Sequence, residues 1–198
     1  MPESRRDAQA DDTRAALIAS ATILFAEQGY AATGTEEIVR RARCTRGALY
    51  HHFRNKSDLF RAVLEDVERT LIEGLAAEGA LGADNWERFR NGCGLFLDAS
   101  LEPTVQRIML VDGPAVLGWQ AWRDVERRYG FGLVGTWLTR VMNDGLIDEQ
   151  PVDALTHLIA GAMNEAAMSI AHAPDPAARR AEMGATLDRL LDGLRPRG

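Results

Sequence analysis

The sequence predicts an all-α protein of about nine helices. Apolar residues recur at helical spacing almost throughout the chain, whereas the strict alternation of half-buried strands is hard to find. Glycine and proline residues divide the 198 residues into segments of helical length. With 46% hydrophobic and 26% charged residues, the chain has enough apolar material for a core, which excludes intrinsic disorder as its overall description.

The first two helices are predicted from their ends. Residues 1–11 are polar, and we expect them to form a disordered tail. A helix over 12–28 ends at Gly29, because glycine suits the left-handed backbone at a helix C-terminus. Thr33 and Glu36 then form a T-x-x-E pattern, which predicts an N-cap with reciprocal capping for a second, short helix.

Two more helices complete the N-terminal part of the chain. Thr45 is a candidate N-cap for a third helix from Arg46 to about His52. Either Asn55 or Ser57 can cap a fourth helix, which connects this part to the rest of the chain. Its inward stripe is predicted to contain Leu59, Val63, Val67 and Leu71.

The remaining chain divides into about five helices. A Gly-Ala-Leu-Gly break at 79–82 precedes an aromatic-rich helix. A short helix is predicted after Pro103, and the triplet 112–114 (Asp-Gly-Pro) is predicted to end it. A long helix then ends near Gly145, another begins at Pro151, and the last follows Pro176. We therefore expect an N-terminal domain over 12–57 and a larger helical domain over 58–198.

The charge distribution singles out the N-terminal part. Of the net charge of −6, residues 1–62 contribute +2, from 10 basic and 8 acidic residues, so the remaining residues contribute −8. Within 40–61, seven Lys and Arg residues face a single acid, Asp58. A basic patch on an acidic protein is typical of a small phosphate-contacting module, although a solvated basic helix face has the same composition.

Several classes of protein are excluded by what the sequence lacks. It has no run of 18 apolar residues, and its first 14 residues contain no apolar segment of a secretory signal. Cys44 and Cys93 are 49 positions apart, which is neither a metal-ligand nor a disulfide-framework spacing. Nucleophile-elbow, phosphate-loop and H-E-x-x-H motifs are absent. We expect a cytoplasmic protein that is not an enzyme and has no catalytic residues, cofactor, metal or membrane partner.

Two short helices with a threonine at the start of the second, followed by basic residues, describe a helix-turn-helix unit, whose second helix lies in the DNA major groove. The segment 33–60, TGTEEIVRRARCTRGALYHHFRNKSDLF, resembles the DNA-binding signature of the TetR family of transcriptional regulators. This resemblance implies a three-helix DNA-binding head and a larger domain for ligand binding and dimerisation. The residues that match without a gap are Ile38, Ala42, Thr45, Gly47, Leu49, Tyr50, His51, His52, Phe53, Lys56 and Leu59.

The third helix is the predicted recognition helix. An N-cap at Thr45 directs backbone N–H groups and the positive helix end toward a phosphate. Arg46 lies in the first turn, where a guanidinium can bind guanine through O6 and N7. Leu49 and Phe53 are four residues apart and are predicted to anchor the helix in the core. The expected DNA-contacting residues are Thr33, Thr35, Arg43, Thr45, Arg46, Gly47, Ala48, Tyr50, His51 and Lys56.

The resemblance fails at Arg43. The family usually has glycine at this position, because the backbone of the turn favours a positive φ. A left-handed arginine costs roughly 1–2 kcal/mol. Either the turn therefore tolerates this strain or it has a different shape, and the aim of Arg46 depends on which is true. The same side chain can also reach a phosphate.

A second copy of the chain is expected, because one head reads one half-site. A two-fold dimer places its recognition helices about 34–36 Å apart, which matches a palindromic operator. The resemblance implies that the last two helices form a four-helix bundle across the axis; packing inside one subunit is the alternative. The expected interface residues are Leu155, Ile159, Ala162, Met163, Ala166, Leu187, Leu190, Leu191 and Leu194.

The middle helices mix aromatic residues with isolated polar ones. Such a mixture suits an apolar pocket with a few orienting groups, although aromatic residues at helical spacing also build ordinary core. Acidic groups beside aromatic rings suit a cationic ligand. The candidate ligand-binding residues are Phe89, Phe96, Met109, Asp112, Trp119, Trp122, Asn164, Glu165 and Met168.

The resemblance implies a homodimeric repressor that an unknown small-molecule inducer releases from a palindromic operator in double-stranded DNA. One alternative is a DNA-binding regulator with a fully packed C-terminal domain; a cavity of roughly a few hundred Å³ lined by the residues above would count against it. A second alternative is an all-helical enzyme or interaction module with a vestigial DNA reader.

Overall fold

The computed structural model describes residues 2–78 and 81–196. Within these ranges the chain is all-α, as the sequence predicts, with nine α-helices, one π-helix and no strand. The elements are α1 (Pro2–Gln28), α2 (Thr35–Arg41), α3 (Arg46–His52), α4 (Lys56–Glu78), α5 (Asn85–Ala99), a π-helix (Val105–Asp112), α6 (Gly113–Leu117), α7 (Trp119–Asn143), α8 (Val152–Ala171) and α9 (Pro176–Asp192). Residues 79 and 80 of the break expected at 79–82 lie outside the described residues. None of the described helices is long and apolar enough to cross a bilayer.

Helix α1 is longer than expected. The disordered tail predicted over 1–11 is wrong for residues 2–11, because α1 begins at Pro2; Met1 lies outside the described residues. Proline is favourable at the first helical position, and the alanine, arginine and glutamine residues that follow have high helix propensity. At the other end, α1 stops at Gln28 and Gly29 has φ +81°, which confirms the predicted left-handed terminus.

The turn between α1 and α2 is built differently from the prediction. Helix α2 begins at Thr35, and its N-cap is Gly34, which makes no side-chain capping bond. Thr33 is only 1% exposed, and its hydroxyl donates to the carbonyl oxygen of Gly29 at 2.8 Å. The prediction of Thr33 as an N-cap is therefore wrong, because this buried hydroxyl fastens the turn to the end of α1.

The chain also continues through the predicted interruption at 112–114. The short helix expected before it is the π-helix, which runs directly into α6. Pro114 lies in the first turn of α6, so its missing N–H falls at the junction of the two helices. The chain turns instead at Gly118, which has φ +79°.

Two apolar clusters form the interior, and α4 contributes to both. The first joins α1, α2, α3 and the N-terminal half of α4 to the π-helix and α7, with Phe25, Leu49, Phe60 and Trp122 among its members. The second joins the C-terminal part of α4 to α5, α7, α8 and α9. Helix α4 therefore connects the N-terminal helices to the C-terminal core, and the domain boundary at 57/58 stays a prediction.

Candidate nucleic-acid interface and ligand cavity

Helix α3 presents its first turn to solvent and is held from behind. The Thr45 hydroxyl accepts a hydrogen bond from the Ala48 N–H at 3.1 Å, which confirms the predicted N-cap. Arg46 and Gly47 are exposed, whereas Leu49 is fully buried with Phe25 and Ile38 in the first cluster. The helix is thus anchored on one side and accessible on the other, as a recognition helix must be.

The turn before α3 is a Schellman motif with arginine in the left-handed position. The Arg43 N–H donates to the Arg40 carbonyl at 3.2 Å, and the Cys44 N–H donates to the Val39 carbonyl at 2.9 Å. Arg43 has φ +54°. Of the two alternatives left open, the strained turn is the one observed, and the exposed Arg43 side chain lies beside the start of α3.

The Arg46 side chain already has partners in the same subunit. Its guanidinium lies 3.0 Å from the Glu36 carboxylate on α2 and 5.6 Å from the centre of the Tyr50 ring, which is 43% exposed. Because both members of the Arg46–Glu36 pair are largely exposed, this ion pair is worth at most about 1 kcal/mol. The guanidinium can therefore exchange this contact for DNA.

Lys56 and Thr33 act inside the α1–α2 turn. The Lys56 ammonium donates to the carbonyl oxygens of Tyr30 at 2.8 Å and Thr33 at 3.0 Å, and it lies 4.1 Å from the centre of the Tyr30 ring. Two of its three N–H groups are thus engaged. The third N–H group of the half-buried Lys56 is left for a phosphate, so its predicted contact stays a prediction, whereas the buried Thr33 side chain is removed from the expected interface.

The remaining predicted contacts keep accessible side chains or backbone. Thr35 begins α2 and is half-buried, as is Ala48, while His51 on α3 is exposed. Among the basic residues of 40–61, Arg41 and Arg43 are exposed and form no ion pair with any described residue. These two guanidinium groups supply exposed, unneutralised positive charge in the segment that leads into α3.

A small cavity of about 40 Å³ lies between α4, α5, α7 and α8. This volume has room for a few water molecules. Most of the wall is apolar and rich in aromatic rings. The apolar lining consists of Ile72, Leu75, Phe96, Gly130, Phe131, Leu133, Val134, Trp137, Ala160 and Met163, and the polar lining of Glu68, Glu126 and Asn164.

Two buried carboxyl groups face this cavity. Glu68 is 3% exposed and makes no hydrogen bond or ion pair with any described side chain, and its burial raises its pKa to about 7. Glu126 accepts hydrogen bonds from the Asn164 amide at 2.6 Å and the Arg123 guanidinium at 3.2 Å. Burial and then the charge of Glu68 raise the pKa of Glu126 to about 8, against the opposing effect of Arg123.

Of the nine candidate ligand residues, only Phe96 and Asn164 line the cavity. Phe89, Met109 and Trp122 are fully buried core, and the Trp122 indole donates to the Met109 carbonyl. Met168 packs on the first cluster, and Glu165 is exposed. These five residues do not line the cavity, because several sides of α5, α7 and α8 are covered by neighbouring helices, and their contact with a ligand stays a prediction.

Asp112 and Trp119 also lie outside the cavity. The Asp112 carboxylate accepts a hydrogen bond from the Tyr30 N–H at 2.7 Å and lies 3.5 Å from the Arg107 guanidinium. It therefore joins the π-helix to the α1–α2 turn. Trp119 is 61% exposed at the start of α7 and lines a surface groove instead.

The sequence reasoning missed Glu68 and Glu126, although both carry a recognisable signal. Glu68 is four residues after Leu64 and seven before Leu75, on a stripe that is otherwise apolar. Glu126 follows Trp122 by four residues in the same way. An acid inside an apolar helical stripe is the pattern that marks a buried carboxyl group.

Most of the predicted dimer residues are internal to one subunit. The stripes of α8 and α9 face α5 and α7, so the alternative of packing inside one subunit is correct for Leu155, Ile159, Met163, Ala166, Leu187 and Leu191. Ala162 and Leu194 are half-buried, and Leu190 is 50% exposed. The most exposed apolar side chain of α8 is Leu158, at 71%.

Comparison with known proteins covers both parts of the chain. A family model described as "Bacterial regulatory proteins, tetR family" matches residues 17–63, and one described as "Tetracyclin repressor-like, C-terminal domain" matches residues 86–194, more than half of the chain. The curated TetC protein of transposon Tn10 from Escherichia coli is 26% identical over 149 residues, which are 75% of each chain.

Solved structures agree with these matches over nearly the whole length. A TetR-family transcriptional regulator from Pectobacterium atrosepticum is 39% identical, with a TM-score of 0.88, covering 96% of this chain and 97% of that one. RolR in complex with its ligand resorcinol has the same fold, with 23% identity and a TM-score of 0.72, covering 96% and 98%. The accessible, Thr45-capped α3 and these matches confirm the resemblance stated above: the chain belongs to the TetR family of DNA-binding transcriptional regulators, which are not enzymes.

Proposed function

We propose that the chain is a homodimeric repressor that binds a palindromic operator through α3 and is released by a small-molecule inducer. The observation that carries the DNA-binding part is the exposed first turn of α3. It combines the Arg46 guanidinium, whose contacts within the subunit are to exposed side chains, with open space at Gly47 and the charge of Arg43. An added Cβ at Gly47 meets only the Thr45 hydroxyl, at 3.8 Å. These features allow base contacts and close approach of the DNA backbone.

The dimer brings two such helices to adjacent turns of one face of the duplex. The outer faces of α8 and α9 are proposed as the contact between subunits. They expose Leu158 and Leu190 and carry the half-buried Ala162 and Leu194, so burial of this surface against a second copy removes apolar area from water.

Induction is proposed to act through α4. This helix begins at Lys56, directly after the recognition helix, and carries Glu68 in the cavity wall. Because the cavity holds only about 40 Å³, a ligand larger than a few water molecules must widen the space between α4 and α7. Ligand binding then favours a conformer in which the position of α4, and hence the spacing of the two heads, is changed.

A second connection joins the C-terminal core to the head. The π-helix holds the Tyr30 N–H through Asp112, and its Arg107 side chain lies so close to Gly29 that an added Cβ would be 2.1 Å from Nη2. Trp122 on α7 bonds to the Met109 carbonyl of the same π-helix. Movement of α7 around a ligand is thus transmitted to the α1–α2 turn as well as through α4.

A regulator without a small-molecule ligand is the second candidate, and the small volume of the cavity favours it. The unpartnered carboxyl group of Glu68 favours the ligand-responsive repressor, because a buried carboxylate without a partner is costly in a packed core. By linkage, an inducer that weakens operator binding must itself bind more weakly to the DNA-bound protein.

The test uses fluorescence anisotropy with duplexes enriched by the protein from a random pool. Arg46→Ala is expected to weaken binding to the enriched duplex by about 1–3 kcal/mol, with a smaller effect on an unrelated duplex. Arg140→Ala, an exposed site at the far end of α7, is the matched control and should leave both affinities unchanged. Equal affinity of wild type and Arg46→Ala for the enriched duplex would contradict the proposed recognition.

In vitro transcription from a promoter that contains the enriched site should decrease on addition of the protein, and an increase would contradict repression.

A further inference from the structure

The cavity between α4, α5, α7 and α8 has an imbalance of charge that defines the ligand it can hold. Its lining contains the carboxyl groups of Glu68 and Glu126 and no cationic side chain. The one guanidinium that reaches either carboxyl group is that of Arg123, which lies at the edge of the site and pairs with Glu126. Among the described residues, two buried acids therefore share one cation.

The second acid has no partner among the described residues. Glu126 accepts hydrogen bonds from Arg123 and the Asn164 amide, both at Oε2, whereas Glu68 forms no hydrogen bond or ion pair with any described residue. A carboxyl group in this position must either retain its proton or receive a counter-charge from a molecule in the cavity. A neutral ligand leaves this imbalance in place, and an anion increases it.

The remainder of the wall suits the body of an organic cation. Phe96, Phe131 and Trp137 contribute aromatic rings, and Met163 contributes a flexible side chain that can adapt to a ligand. Aromatic faces attract a positive charge held near them, and they also bury an apolar group. A cavity of this composition is complementary to a small aromatic or branched body that carries one ammonium group.

We infer that the inducer of this regulator belongs to the class of protonated amines with an aromatic or compact apolar body, and that Glu68 and Glu126 bind its ammonium group. This inference rests on the proposed ligand-responsive function and specifies its ligand class. The Asn164 side chain positions Glu126, because its amide donates to the Glu126 carboxylate at 2.6 Å. The ammonium takes the place of protons on the two acids, so ligand binding releases protons to solvent.

Proton release gives the site a characteristic pH dependence. The groups that face the two acids are Arg123 from α7 and Asn164, Ala160 and Met163 from α8, while α5 contributes Phe96. Of these, only the guanidinium of Arg123 carries a charge, and it stays protonated. Burial raises the pKa values of Glu68 and Glu126 to about 7 and about 8, and a bound cation lowers them. The affinity for an amine therefore increases as the pH rises from 6 to 8, and it decreases again at the higher pH where the amine loses its own proton.

The test is isothermal titration calorimetry on the full chain with matched probes. The probes are benzylamine and 1-naphthylmethylamine, the alcohols of the same shape, and benzoate. We expect the amines to bind at least about tenfold more tightly than the alcohols, since a hydrogen bond to a charged group is worth about 1.5–3 kcal/mol, or about 10- to 100-fold. Titration in two buffers of different ionisation enthalpy should show proton release with the amines only.

Variants locate the binding site. Glu68→Gln and Glu126→Gln should each weaken amine binding about 10- to 100-fold and reduce proton release. Glu165→Gln, at an exposed site on α8, is the control and should change neither quantity. Equal or tighter binding of the alcohols or benzoate, amine binding that neither variant weakens, or no binding of either amine at millimolar concentration overturns the inference.

Operator binding distinguishes failure of this inference from failure of the proposed function. If an amine binds through Glu68 and Glu126 but leaves operator affinity unchanged, the cation site is supported and induction is contradicted. If a neutral or anionic compound releases the protein from the operator, and does so equally well with Glu68→Gln, induction is supported and the cation site is overturned.

Discussion

The buried carboxyl group of Glu68 makes the stability of the protein depend on pH in a direction opposite to that of an ion-paired acid. Burial raises its pKa in the folded chain from 4.5 to about 7. Between these values the folded protein binds more protons than the unfolded chain, so the free energy of unfolding falls as the pH rises. Glu68→Gln removes this ionisation and keeps the shape and volume of the side chain.

The size of the effect follows from the two pKa values. Each pKa unit corresponds to about 1.4 kcal/mol, so a rise from 4.5 to about 7 corresponds to about 3 kcal/mol. The wild type and Glu68→Gln should therefore have similar stability near pH 4.5. Above pH 7, where the stabilising proton has been lost, the variant should be more stable by about 3 kcal/mol.

Urea unfolding, followed by tryptophan fluorescence at pH 5 and pH 8, measures this difference. The protein concentration must be the same in every experiment, because the stability of an oligomer depends on it. Glu165→Gln is the matched control and should show no gain at pH 8 relative to pH 5. A Glu68→Gln protein that is less stable than the wild type at pH 8, or whose advantage is the same at both values, would refute the assignment of Glu68 as a buried, unpartnered acid.

Three other substitutions test the backbone and packing. Arg43→Gly should raise the urea midpoint and increase the free energy of unfolding by about 0.5–1 kcal/mol. The reason is that relief of the left-handed strain outweighs the free-energy cost of the extra entropy that glycine gives the unfolded chain. A lower midpoint would show that Arg43 is not strained. Gly92→Ala should lower the free energy of unfolding by about 1–3 kcal/mol and shift tryptophan emission, because the new Cβ would lie 2.3 Å from the Trp137 ring. Gly132→Ala, with open space around its Cβ, is the control, and equal effects of the two substitutions would contradict this packing. Asp112→Asn should speed hydrogen exchange of the Tyr30 amide and lower the free energy of unfolding by about 1–3 kcal/mol. Unchanged exchange would show that this hydrogen bond does not hold the turn.

The head was predictable because its determinants are local. The cap at Thr45 depends on four consecutive residues, and the anchors Leu49 and Phe53 are one helical turn apart. The left-handed backbone at Arg43 follows from the hydrogen bonds of its own turn. In contrast, Thr33 was misassigned because its side chain is captured by the end of α1, which no spacing within 33–36 reveals.

The cavity and the subunit interface were less predictable because their determinants are not local. The periodicity of α8 shows that Ile159 and Met163 face an apolar surface, but it does not tell whether that surface is a helix of the same subunit or of a second one. Similarly, Trp122 has the composition of a pocket residue and is core, because the π-helix covers it. Only the packing of α4 against α7 brings Glu68 and Glu126 together.

The most direct test of the account is selection of duplexes from a random pool, followed by hydroxyl-radical footprinting of the enriched DNA. Recognition by paired α3 helices predicts an inverted repeat whose half-sites lie one helical turn apart, about 10 base pairs, or a multiple of it, with protection of both half-sites on one face of the duplex. Arg46→Ala should lose the base preference within each half-site and keep the protected backbone positions. No enrichment, or enrichment of a single unrepeated site that Arg46→Ala selects equally well, would contradict DNA recognition by paired α3 helices.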